Sequence, residues 1–216
     1  MYIRRMYPKH VRIIALTGAL LVWGAVIAQL ILHLQRPDIP FGEALIQFFS
    51  YFTIQSNLLV ACCFSSIASG GKLGPFFSRP TLLSATVVYI TVVGAIYHVI
   101  LSNLWHFTGF SSWVNQGLHS LNPLYFILFW AFFVPKAAVK WRHVWIWLIY
   151  PLAYAGFILI RGDFSGFYPY PFINVSELGW SKILGNIAWI FLLFAGLCVF
   201  VAALCKALSV NKSGPA

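Results

Sequence analysis

In a long apolar sequence the polar side chains are where chemistry must be sought, because a polar group buried in hydrocarbon is costly unless it is paired. Three stretches carry such residues at helical spacing. Gln47, Ser50, Thr53 and Asn57 are separated by steps of three and four, so one continuous helix would put them on a single face. Thr91, His98 and Ser102 follow at steps of seven and four, and Asn115, His119 and Asn122 at four and three. A hydroxyl, an imidazole and amide donors are the parts of a nucleophile–base site with an oxyanion hole. The same residue types are also ordinary glue between membrane helices, contributing about 0.6 kcal/mol each. Spacing alone leaves both readings open.

The elements that must position these residues follow from composition. Of 216 residues, 61% are hydrophobic and 8% charged, with a mean hydropathy of +0.84; a soluble domain carries about 25% charged residues. Disorder is excluded by the same numbers. The net charge of +10 comes from 14 basic and four acidic residues. The basic residues lie in short groups between apolar runs, not on one polar face, so no nucleic-acid partner is expected. A helix crosses a bilayer with about 20 apolar residues. Six stretches qualify, at roughly 13–34, 44–68, 81–105, 113–134, 144–160 and 183–204. The expectation is an all-α integral membrane protein, a six-helix bundle forming one domain over 1–216. The fifth stretch is the shortest, with Pro151 interrupting it, and 161–182 is the one sizeable loop. The first stretch follows basic residues, as a signal peptide does, but its apolar run is too long for one.

Charge sets the orientation. With the N-terminus inside, eleven of the 14 basic residues fall on the inner side, leaving Arg36, Arg161 and Lys182 outside. Asp38, Glu43, Asp163 and Glu177 then all fall outside, a second pattern that agrees with the first. Both termini are thus expected to be cytoplasmic. Cys62, Cys63, Cys198 and Cys205 lie in inner halves of the expected helices, where oxidation is not expected, and lack metal-site spacing.

Depth brings three residues level. In a straight second helix Thr53 lies ~14 Å from the outer end, His119 ~9 Å and His98 ~10 Å. Pro123 lacks an N–H, so the carbonyl of His119 loses its helical partner and the helix is irregular beside the histidine.

Three segments, in order, carry a resemblance: Tyr51-Phe52-Thr53-Ile54, then Trp113-Val114-Asn115-Gln116-Gly117-Leu118-His119-Ser120, then Gly166-Phe167-Tyr168-Pro169-Tyr170-Pro171-Phe172. Together they resemble the androgen-induced-gene-one family, which also contains the androgen-dependent regulator of tissue factor pathway inhibitor. The chain also looks like bacterial six-helix membrane proteins, of unassigned function, that are grouped near it. The resemblance implies six helices, a cytosolic N-terminus and hydrolysis of fatty acid esters of hydroxy fatty acids by a membrane threonine and histidine. Carried over, Thr53 is the nucleophile and His119 the general base. Gln116 stands where the family has a histidine, and Ser120 where it has a threonine. Gly162 and Asp163 stand where the animal proteins have a histidine pair.

In that reading His119 takes the Thr53 proton as the hydroxyl attacks an ester, and water then releases the acyl group. Asn115 or Asn122 orients the ring. Asn57 or Gln55 donates to the oxyanion, although Gln55 lies on the wrong helix face. His98 supports the site. Arg161 holds a substrate carboxylate, or else snorkels and pairs with Asp163. No cofactor or metal is expected, and the partners are membrane lipids and a lipid-like ester. Two rivals stand beside this one: a lipid-binding or transport protein without catalysis, and a haem-binding electron carrier with His98 and His119 as axial ligands. The membrane would be the cytoplasmic one in a bacterium and the endoplasmic reticulum in a eukaryote. Substrate and oligomeric state stay open.

Overall fold

The structure, a computed structural model, describes residues 6–210. Among them all the regular structure is helical, with no strand. The helices are α1 (Lys9–Leu34), α2 (Phe41–Ser50), α3 (Phe52–Ala68), α4 (Pro80–Ile96), α5 (Gly109–Gln116), α6 (Asn122–Phe133), α7 (Arg142–Ser165) and α8 (Val175–Val210). The chain falls into two compact units, Met1–Ala138 and Val139–Ala216.

Four helices are long and apolar enough to cross a membrane: Lys9–Leu34, Pro80–Leu101, Arg142–Ser165 and Val175–Ser209. The pair α2 and α3 makes a fifth if counted as one bent span. The outward row Ile13, Leu16, Leu20, Ile27 and Ile31 on α1 is half or more exposed. A soluble protein does not leave so continuous an apolar stripe bare, and hydrocarbon solvates it. These features mark a membrane protein.

The structure departs from the expected spans in three places. The second is not one helix: it bends by 74° at Tyr51, whose extended backbone (φ −77°, ψ 125°) ends α2 and starts α3. No proline or glycine marks the break. The freed backbone is met locally, with the Tyr51 N–H donating to Phe48 O at 3.4 Å and the Gln55 side-chain amide to Phe49 O at 2.9 Å. The fourth is built from α5, a π turn at Gly117–Leu121 and α6, following one another without a gap. In the fifth, Pro151 does not interrupt: α7 runs through it for 24 residues. The sizeable loop expected at 161–182 shrinks accordingly, because α7 continues to Ser165 and α8 starts at Val175. Gly179 (φ 73°, ψ 158°) breaks α8 near its start, a conformation glycine adopts without strain.

Within Met1–Ala138 the core centres on Phe64 of α3, fully buried, with the rings of Tyr125, Phe126 and Phe129 of α6 edge-on at 5.1–5.7 Å. Gly18 lets α1 approach this cluster, since a Cβ there would start 2.7 Å from the Phe64 ring and 2.8 Å from Tyr125. Gly18→Ala is therefore expected to overpack the site and cost about 1–3 kcal/mol, read as a lower unfolding temperature in detergent. Arg12 ties the two helices about a turn further on at the same end, its guanidinium donating twice to the last α3 carbonyl, Ala68 O, at 3.0 and 3.1 Å. Lys136 closes the end of α6 in a similar way, donating to the carbonyls of Trp130, Ala131 and Val134 and lying over the Trp130 ring.

Within Val139–Ala216, α7 and α8 pack directly against each other, and the turn at Pro171–Ile173 packs on α8. The Tyr168 ring lies against Gly162 so closely that a Cβ would collide with it. That contact gives a physical reason for glycine at position 162.

Candidate functional site

The site is built around Pro123. Its ring would clash with the carbonyl four residues earlier and supplies no N–H to it. The helix responds by widening into the π turn Gly117–Leu121, closed by the Asn122 N–H on Gly117 O. His119 sits in the middle of that turn. Its carbonyl, which Pro123 cannot serve, faces Gly94 of α4, where a Cβ would start 3.2 Å from the oxygen. A second π turn, Tyr97–Leu101, extends α4 at this level. Widened turns of this kind recur at functional sites.

The His119 ring is 7% exposed and held on three sides. Nδ1 lies 2.9 Å from Asn115 O, an atom that only accepts, so Nδ1 carries the proton of the neutral ring. Nε2 is thereby the bare nitrogen. It faces Thr53 Oγ1 at 3.3 Å, across 66 residues of sequence. Tyr97 stacks on the imidazole with centroids 4.2 Å apart and planes at 23°. Asn115 donates its side-chain amide to the Tyr97 hydroxyl. Asn115 thus positions His119 twice, by its own carbonyl and through the stacked tyrosine.

Thr53 comes from the start of α3, the second residue after the break at Tyr51. Asn57, fully buried one turn on, donates to Thr53 O at 2.9 Å and to Leu118 O at 3.2 Å. Its carbonyl oxygen accepts from Asn122 at 2.8 Å. One amide therefore joins α3 to the π turn and to α6, and holds threonine and histidine in register.

Thr53, Asn57, Asn115, His119 and Asn122 are thus brought together from two distant segments. Other expectations change. Both amide hydrogens of Asn57 go to carbonyls, so it clamps the site and is not free to serve an oxyanion. The backbone carbonyl of Asn115 bonds the His119 ring, and the Asn122 amide donates to Asn57. Gln55 braces the bend instead of facing the threonine. Gln47 and Ser50 do not share the Thr53 face, because the break separates them; their side chains bond within α2, to Glu43 and to Ile46 O. His98 Nε2 lies 3.0 Å from Ser120 Oγ. In the other unit, Arg161 donates to Phe167 O at 3.4 Å and lies over the Phe167 ring. Tyr97 and Gly94 were not foreseen. Tyr97 had a signal in its place beside His98; Gly94 had none, since close approach by another helix does not show in a local pattern.

No family model, curated protein or solved structure matches the chain. The chemistry has to be argued from the arrangement itself. A buried hydroxyl facing the bare nitrogen of a tautomer-fixed imidazole can transfer its proton and attack an electrophile. Axial ligation of haem through His119 Nε2 would displace the Thr53 contact, while the Nδ1–Asn115 O bond could remain.

Proposed function

We propose that this chain is an intramembrane hydrolase of lipid esters, with Thr53 as nucleophile and His119 as general base. The observation that carries the reading is the Thr53 Oγ1–His119 Nε2 pair at 3.3 Å with Nδ1 committed to Asn115 O. The separation is slightly long, as such bonds often are before substrate binds. In the first step Thr53 Oγ1 bonds to the ester carbonyl carbon and its proton passes to Nε2. Negative charge develops on the carbonyl oxygen at the first turn of α3, where the helix dipole favours it. The C–O bond to the alcohol then breaks, and the alcohol leaves with the proton from His119. Water, deprotonated by His119, attacks the acyl-threonine, releasing the fatty acid and restoring Thr53. The resemblance in sequence suggests fatty acid esters of hydroxy fatty acids as one substrate.

The topology of this reading has six crossings, with α5, the π turn and α6 serving together as one, and with both termini on the cytoplasmic side. The excess of basic residues on that side supports it. The bend at Tyr51 moves the reacting hydroxyl outward. The ten residues of α2 advance ~15 Å along a straight axis but only ~4 Å along that of α3 at 74°. Water then has a short path to the acyl group.

The test is covalent. Wild type, Thr53→Ala and His119→Ala are incubated in detergent with a fluorophosphonate probe, and the modified peptide is identified by mass spectrometry. The expected adduct is on Thr53, in the wild type alone. An adduct elsewhere, or equal labelling of all three proteins, removes Thr53 as the nucleophile.

A further inference from the structure

A second polar cluster lies beside the pair and takes no part in the steps above. His98 Nε2 is 3.0 Å from Ser120 Oγ, and Ser120 donates to Gln116 Oε1 at 2.6 Å. The one proton of the serine is spent on the amide oxygen, so the imidazole nitrogen facing it must itself donate. His98 Nδ1 is then an acceptor, and the Gln116 amide nitrogen a donor. Both residues are exposed.

The setting is apolar. Val99, Trp113 and Leu121, on the same segments, are 75%, 79% and 49% exposed. An exposed polar edge flanked by lipid-facing side chains suits the head of an amphiphile better than a water-soluble ligand. The cluster is also continuous with the reacting pair: Ser120 follows His119 in the π turn, and His98 follows Tyr97, the ring stacked on His119. An acceptor on His98 and a donor on Gln116, the two residues joined through Ser120, match in kind a hydroxyl, which gives one hydrogen and takes another.

We infer that His98, Ser120 and Gln116 form the subsite for a hydroxyl-bearing alcohol half of the ester, so that glycerol monoesters of fatty acids are a preferred substrate class. This rests on the hydrolase reading. In it the acyl carbonyl meets Thr53, and a free glycerol hydroxyl donates to His98 Nδ1 and accepts from Gln116. Esters of simple alkanols lack that group and forgo both bonds.

The experiment has a binding arm and a turnover arm, both in lipid nanodiscs. The binding arm uses an alkylglycerol ether with a photoreactive tail, which cannot be hydrolysed, against a hydroxyl-free dialkyl ether of equal length. The wild type is expected to prefer the alkylglycerol, and Ser120→Ala to reduce that preference about tenfold. Gln116→Leu, which removes the donor and leaves the imidazole in place, is expected to do the same. The turnover arm compares kcat/KM for a monoacylglycerol and the matching ethyl ester, and the ratio is expected to fall by the same factor. Equal preference in wild type and both variants overturns the subsite. A wild type that prefers the alkylglycerol but turns over neither ester overturns the hydrolase reading and leaves the subsite standing.

Discussion

Thr53→Ala is expected to lower kcat for ester hydrolysis by about 10³–10⁴-fold. The substitution removes the hydroxyl and one methyl group from a residue 7% exposed at the start of α3, and its backbone carbonyl still receives Asn57. The cost in stability should be modest, about 2 kcal/mol for lost hydrogen bonding and the buried methyl. Activity and unfolding temperature measured on the same preparation therefore separate a nucleophile from a packing residue. A threonine that merely joins helices would contribute only about 0.6 kcal/mol and have no turnover to lose. Thr53→Ser keeps the hydroxyl within reach of Nε2 and should retain a substantial part of the rate. Loss of activity in the serine variant equal to that in the alanine variant would count against a nucleophilic role.

The second large effect concerns Asn57. Asn57→Leu is close in volume but leaves Leu118 O without its amide donor and Asn122 without its acceptor, in a region where Asn57 is fully buried. An unsatisfied buried polar group costs about 1–3 kcal/mol, and two are created, so a loss of about 2–6 kcal/mol is expected from thermal unfolding in detergent. Asn57→Asp should cost at least as much, because the carboxylate keeps the bond from Asn122 but loses both donors and sets a buried charge against two carbonyl oxygens. An Asn57→Leu protein with wild-type stability would show that the amide is not what holds α3 to the π turn.

Much of this architecture was legible in the sequence. The first, third and last apolar runs became α1, α4 with its π turn, and α8, because length and hydropathy decide such elements with little help from packing. The pairing of Thr53 with His119 was also anticipated, though one of its premises failed. The depth estimate for Thr53 assumed a straight helix from Ala44, and the chain bends at Tyr51 instead. Nothing in Ser50-Tyr51-Phe52 announces that bend, which is held by Gln55 reaching back to Phe49. A brace formed through space leaves no local mark. The π turn was half legible: Pro123 foretold an orphaned carbonyl at His119, but not that the helix would widen around it. Asn57 illustrates the remaining limit. Its residue type fits an oxyanion donor and a clamp equally, and only its partners distinguish them.

The bend at Tyr51 has a mechanical consequence. One residue serves as the end of α2 and the start of α3, with Thr53 two positions from the pivot and its partner His119 on a separate segment. The short arm, with Phe41, Ile46 and Phe49 exposed on its apolar side, rests against lipid. In the hydrolase reading, tilting of this arm by the bilayer would reach Thr53 only so far as the Asn57 clamp between α3 and the π turn allows. The clamp then acts as a mechanical isolator, keeping hydroxyl and imidazole at a fixed separation while the short arm follows the membrane.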